Sequence, residues 1–415
     1  MLWSILRVSF RNVSRNARRS LITALAVLIG TGFIIFARGS LNGFHAAMVA
    51  GVTETQAGDL QLHHPEYLEA SQALPLDKNF AVDERFQALM SKVPEIESWS
   101  ARISFSGMIS NGNETTLFFG QAIDPDNEYK VCPRNKNNIE AGGQPLSMEN
   151  PKGVVIGKAL AESLKVKVGD ELQILMNSSA GALVGMDVTV VGIAEFRIPG
   201  VGNKILHIPL QLAQQKLDMV DKVTEVVANV KSLDDADVAT AQLQQQLSGE
   251  FSDLKLTPNS WKDLDVGRFI LGSIDLQNQV LFIVIFVLFL VMISGIVNTM
   301  LMSVFERVRE IGTMMAIGIR RWKILVMFLF EAVTLSTLGA LAGVGIGAGI
   351  VRFLGSAGMP LPSIGGGTSP VIYPYIQLDY MGMVIAVAVV VAVLAALYPA
   401  VRASLMRPAE ALRTL

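Results

Sequence analysis

Four aliphatic stretches, each long enough to cross a lipid bilayer as a helix, constrain this chain more than any other feature. A hydrocarbon core about 30 Å thick needs roughly 20 mostly apolar residues in a row. Residues 21–37, 280–302, 324–351 and 381–401 meet that requirement, the third interrupted only by Glu331. A buried helix of a soluble protein rarely runs so far without polar residues, so the four stretches read as transmembrane helices. Charged residues are only 17% of the chain, below the roughly 25% usual in soluble proteins. The apolar excess is aliphatic, since aromatics are 7%. No A-x-A-like site follows residues 21–37, so this first stretch reads as a retained signal anchor rather than a cleaved leader.

The net charge of −2 conceals a strong polarity. Residues 1–20, 303–323 and 402–415 together hold 13 basic and 3 acidic residues, whereas residues 38–279 hold 20 basic and 31 acidic. Basic flanks stay on the cytoplasmic side. Both termini and the 303–323 link are therefore expected in the cytoplasm, with 38–279 and the short loop 352–380 outside. Within residues 1–20, Leu2, Ile5, Leu6, Phe10 and Val13 share one helical face and Arg7, Arg11, Arg15 and Arg18 the other, the pattern of a basic interfacial helix.

Residues 38–279 are too many for a loop. Residues 41–56 and 266–279 keep helical spacing and read as stalks continuing the first and second spans. Between them strands and helices alternate: strands at 58–64, 98–110, 114–123, 153–156, 171–175, 186–196 and 224–230, helices at 158–164, 210–217 and 234–247. Asn111-Gly112 marks a hairpin. Residues 127–150, rich in Gly, Pro and Asn, read as a separator between two lobes. The predicted fold is thus an α-helical membrane protein with four transmembrane helices plus a large mixed α/β extracytoplasmic domain inserted between helices 1 and 2.

Catalytic chemistry is not legible. His63 and His64 are adjacent and read as a solvated pair, with no third ligand at metal spacing. His45 and His207 are isolated. Gly153–Gly157 with Lys158 and Ala159 is a residue short of a Walker A loop and lacks its Ser/Thr, so no ATP hydrolysis and no cofactor or metal is expected on this chain. Nothing points to nucleic acid. Cys132, the single cysteine, has no partner within the chain and reads as a buried or tolerated thiol. Gly339, Gly343 and Gly347 repeat at i+4, the small-residue spacing of closely packed membrane helices. Glu331 lies about 10 Å into its helix; intramembrane charges are costly and often functional, but the other spans offer it no ionisable partner, so pairing or snorkelling is expected rather than a proton relay.

The segment NTMLMSVFERVREIGTMMAIG (298–318) resembles the signature of the FtsX-like permeases of ABC transporters, the MacB and lipoprotein-releasing superfamily. The matching core is Glu306-Arg307, Arg309-Glu310-Ile311-Gly312, Ala316 and Gly318. The closing YPAVRASLMRPAEALR is similar to the family's last motif through Pro399, Ala400, Arg402, Ala403, Pro408, Glu410, Ala411, Leu412 and Arg413. Residues 11–30 resemble its basic entry to the first span, and Glu331 with LSTLGALAG its third. The resemblance implies an inner-membrane permease subunit that pairs with a second permease chain, a copy or a paralogue, and recruits a separate ABC ATPase carrying ATP and Mg. It implies further that hydrolysis moves cytoplasmic coupling helices and, through the stalks, the outward domain. Glu306, Arg307, Arg309, Glu310, Ile311 and Gly312 are then the expected ATPase-coupling residues, with Val304, Phe305, Val308 and Ile311 packing on the bundle. Among stand-alone permeases of this layout, release of lipoproteins or export of an amphiphilic substrate is the expected function. Activation of a cell-wall hydrolase, or efflux with an adaptor and outer-membrane duct, are its alternatives.

Overall fold

The computed structural model describes residues 17–196, 204–360 and 371–406. Residues 2–16 of the expected basic helix and the motif beyond residue 406 lie outside them. Two compact units emerge, Met1–Ala47 with Ile274–Leu415, and Met48–Ser273.

Helix α1, Ala17–Val52, is continuous through the first apolar stretch and beyond it, and passes into a π-helical turn over Thr53–Ala57. The unit that follows runs β1 (Leu60–His63), α2 (Glu84–Ser91), β2 (Ile96–Ser110), β3 (Thr115–Ile123), α3 (Pro125–Val131), α4 (Arg134–Asn137), β4 (Gly153–Gly157), α5 (Lys158–Leu164), β5 (Glu171–Asn177), β6 (Leu183–Ala194), β7 (Ile205–Pro209), α6 (Leu210–Lys216), β8 (Glu225–Val230), α7 (Ala236–Ser248) and β9 (Thr257–Ser260), with a two-residue ladder of 80–81 against 222–223 besides.

Among the described residues these nine strands form one sheet in the order β9-β1-β8-β2-β3-β7-β4-β6-β5, and β5 returns to pair with β2. The second half of β2 therefore closes a six-stranded ring with β3, β7, β4, β6 and β5, while its first half joins β8, β1 and β9 in an antiparallel sheet. The ring is mixed: β3–β7 and β4–β6 run parallel, the rest antiparallel. Alternation sends Leu172, Ile174 and Met176 of β5 inward and leaves Gln173 and Leu175 outside. Phe105 and Phe118 meet edge to face inside, 5.7 Å between centroids. The hairpin between β2 and β3 turns at Gly112, whose φ of 89° lies where side chains are rarely tolerated.

Two readings of this region need correction. Residues 127–150 are not a plain separator. Asp124 accepts from Asp126 N to cap α3, Pro125 occupies its first turn, and α4 follows with Asn135 buried. The lobes share β2 instead of being divided by a loop. Nor are His63 and His64 a solvated pair: His63 is buried, stacked on Tyr67 at 5.1 Å with its Nε2 3.5 Å from Glu225. His207 is also buried, and desolvation, reinforced by the Arg102 charge, lowers its pKa to about 3. The edge strand β9 escaped sequence reading because its TPNS composition looks like a turn; Pro258 is tolerated in an edge strand.

Cys132 is fully buried, and desolvation pushes its thiol up to about 12 against the lowering influence of Arg102. The thiolate is the reactive form. The folded protein at pH 8 is therefore expected to resist iodoacetamide, with full alkylation only after denaturation. Stoichiometric labelling of the native chain, read by mass spectrometry, would contradict this burial.

The chain continues with α8 (Asp265–Glu306), which enters the other unit at Ile274, then α9 (Val308–Ala316), α10 (Arg321–Ala357) and α11 (Leu378–Ser404). Helices α1, α8, α10 and α11 are each long and apolar enough to cross a membrane. With 42 residues, α8 is about 63 Å long, twice the thickness of a bilayer core. Small residues dominate where these helices meet: Ala332 and Ala340 of α10, and Ala388, Ala392, Ala395 and Ala396 of α11, pack with Val27, Met292, Ile296 and Met300. Thr23 donates across to Thr299 at 2.9 Å.

Candidate functional site

Helix α8 stops at Glu306 without a proline or glycine to stop it. The break is at Arg307, with φ −102° and ψ 12°, and its side chain turns inward. Nη1 lies 3.4 Å from Oε2 of Glu331 on α10, both side chains only 5% exposed. Glu331 thus has a partner that no span supplied in the sequence; it comes from the turn after the second one. Arg307 is thus buried, whereas Glu306, Arg309 and Glu310, grouped with it in the sequence, are exposed.

Helix α9 is amphipathic. Its Ile311 is fully buried with Val304, Ile324, Met327, Phe328, Ala400 and Ala403, and Gly312 is buried beside it. Arg309, Glu310, Thr313 and Ala316 point outward, as does Glu306 just before the break. Gly318, at φ 93°, reverses the chain into α10. Around this charged surface stand exposed apolar side chains: Phe305, Ile317, Ile319 and Trp322. Phe305 does not pack inward as its apolar character suggested; its ring lies under the Arg402 guanidinium at 5.7 Å. The turn therefore has an apolar underside, an internal charge clasp and an outward surface of mixed charge and exposed hydrophobics.

The glycine stripe lies on α10 against α1. A Cβ at Gly339 would stand 2.7 Å from Ala24 O, at Gly347 2.7 Å from Gly32 O, and at Gly343 it would run into Thr31 and the Leu28 carbonyl. Gly345 and Gly349 have open space beside them.

The matching families span both units. Residues 20–246 match the MacB-like periplasmic core domain, and residues 282–406 match the FtsX-like permease C-terminal family. The chain belongs to the MacB/FtsX-like permease family. The permease is 25% identical over 447 residues to the macrolide export ATP-binding/permease protein MacB of Rhodopirellula baltica, covering 99% of this chain and 62% of that protein. A 52% identical match to MacB of Marinobacter nauticus spans 67 residues, 16% of this chain and 10% of that protein. The chain thus spans less than two thirds of these MacB relatives. With the lipoprotein-releasing system transmembrane protein LolE of Haemophilus influenzae it shares 21% identity over 400 residues, 94% of this chain and 93% of that one. A solved structure of the periplasmic region of MacB from Actinobacillus actinomycetemcomitans has a TM-score of 0.37 at 13% identity, covering 54% of this chain and 94% of that one. The permease is of the ABC-transporter type, its apolar helices and periplasmic-domain family are those of an inner-membrane protein, and members of its family work with ABC ATPases.

Sequence reasoning missed a second charged cluster, inside Met48–Ser273: Arg102 and Glu128, both fully buried, with Asn135 and Glu225. Little in the sequence signals it: Ser100, Arg102 and Ser104 alternate with Ala101, Ile103 and Phe105 as on a strand with one wet face, although here both phases are buried. Among the described residues no three His, Cys, Asp or Glu side chains converge as a metal site would require.

Proposed function

We propose that this permease converts ATP hydrolysis on a partner ABC ATPase into movement of its α/β unit on the opposite side of the membrane, and that the movement releases lipoproteins or expels another amphiphilic substrate. In this reading a second permease chain, a copy or a paralogue, completes the transmembrane part, and ATP with Mg stays on the ATPase. The termini and 303–323 face the cytoplasm, in keeping with their basic excess. The observation that carries the reading is the build of α9. Its Arg309 and Glu310 lie on the exposed face, where an ATPase would dock, while Ile311 below and the Arg307–Glu331 clasp tie the same turn to α8 and α10. A push on the surface is thereby delivered to two membrane helices. Lipoprotein release draws support from the LolE relative, which matches over nearly the whole of both chains.

The test is capture from native membranes. The parent chain is expected to bring down an ABC ATPase, and the variant combining Glu306→Lys with Arg309→Glu to lose it while remaining monodisperse. Equal recovery of the ATPase by both forms would remove the docking assignment.

A further inference from the structure

A helix leaves its last four carbonyl oxygens without intrahelical partners, and these ordinarily go to water, a cap or a tightened turn. In this chain, the helical run of α1 ends in the π-turn Thr53–Ala57, and π-turns concentrate at functional positions. Gly58, at φ 60°, ends the turn and returns its N–H to Thr53 O at 3.1 Å. The carbonyls of Thr55, Gln56 and Ala57 are taken by side chains. Asn135 Nδ2 donates to Thr55 O at 2.9 Å, Arg102 Nη1 to Gln56 O at 2.5 Å, and Gln61 Nε2 to Ala57 O at 2.9 Å. Arg134 Nε reaches the Glu54 carboxylate at 2.6 Å. All of these residues lie within Met48–Ser273.

At the centre is a guanidinium with no exposure to water. Arg102 grips Glu128 of α3 bidentately, Nε to Oε2 at 2.9 Å and Nη2 to Oε1 at 2.6 Å, and Glu128 Oε1 also accepts from Asn135 at 3.0 Å. Glu225 of β8 stands 3.9 Å from Nη1 and accepts from Ser104 Oγ at 3.0 Å. Burying an ion pair is costly, and apolar side chains of the same volume often stabilise as well or better. What the pair supplies that apolar packing cannot is a directional hold on one particular carbonyl. Arg102 also sits on β2, the strand common to the six-stranded ring and the antiparallel sheet, so a displacement of Gln56 acts on both parts at once.

Resting on the mechanical reading above, we propose that Arg102, Glu128 and Asn135 form the joint through which movement of the first membrane helix is passed to the sheet of the α/β unit. They are positioning residues: they hold the helix end and touch neither substrate nor nucleotide. Without them Gly58 and Asp59, leading into β1, would still tie the helix end to the sheet, but less of the movement would reach it.

Hydrogen–deuterium exchange on the full permease, in lipid nanodiscs with the ABC ATPase that it captures, tests this with and without ATP. Glu128→Gln removes the carboxylate; Asn135→Ala removes two donations but no charge, and carries the test if the first variant fails to fold. The parent is expected to show an ATP-dependent change in exchange at β2 and β8. In each variant the amides of residues 53–61 should exchange about tenfold faster without nucleotide, as loss of a hydrogen bond to a charged group implies. The ATP response at β2 and β8 should fall severalfold while hydrolysis continues at the parental rate. A parent without any ATP response in residues 48–273 would sink the mechanical reading itself. A parental response that both variants retain would overturn the joint and leave that reading standing.

Discussion

Replacement of Gly343 by leucine is expected to abolish the packed helical bundle, whereas Gly345→Ala, two residues away, should leave it intact. A side chain at Gly343 has nowhere to go: its Cβ alone would collide with Thr31 Oγ1 and the Leu28 carbonyl and lie 2.9 Å from Leu28 Cα. The hydroxyl can rotate, but the backbone of α1 cannot yield without moving the whole helix. Overpacking of a tight contact typically costs about 1–3 kcal/mol for added methylenes, and leucine adds several. At Gly345 no atom stands within 4 Å, so alanine gains roughly 1 kcal/mol of helix propensity without a clash. Thermal unfolding with size-exclusion profiles in detergent checks both variants. A monodisperse Gly343→Leu protein with parental thermal stability would refute the packing of α10 on α1.

The second large effect concerns the charge clasp. Removing one partner of a buried ion pair costs about 3–5 kcal/mol, because the other charge stays in the low-dielectric interior, whereas replacing both is often near neutral. Arg307→Met and Glu331→Gln are each expected to destabilise the permease strongly, and the double variant to recover most of the loss. This non-additivity separates the clasp from a docking role. Were Arg307 an outward ATPase contact, Arg307→Met would lose the ATPase without loss of stability, and Glu331→Gln would not change the outcome. A double-mutant cycle on thermal stability, with ATPase capture measured alongside, decides between them.

What the sequence made legible follows from the range of the interactions. Apolar runs of bilayer length and the Asn111-Gly112 turn are local signals, and the helices and the hairpin stand where those signals lie. Closure of the ring was not legible, because it depends on Gly107–Ser110 meeting Gln173–Met176 across more than sixty residues, in a register that no local pattern encodes. The site was readable only in part. Consecutive charges at 306, 307, 309 and 310 suggest one solvated surface if a single helix runs through them. The helix breaks at Arg307, so that residue turns to Glu331 while Arg309 and Glu310 stay outside. Arg102 was hidden by a similar effect: a charge in an alternating strand is assigned to the wet face until Glu128, twenty-six positions on, is seen beside it.

Every part of the mechanical account requires α9 and the α/β unit to lie on opposite sides of the membrane. Sided labelling tests this most directly. In a Cys132→Ser background, one cysteine replaces Ile317, 78% exposed after α9, and in a second protein one replaces Leu117, 64% exposed on β3. With outer membranes permeabilised and inner membranes sealed, an impermeant maleimide is expected to label Leu117→Cys at once and Ile317→Cys only after the inner membrane is opened. Labelling of both positions from the same side would contradict the account.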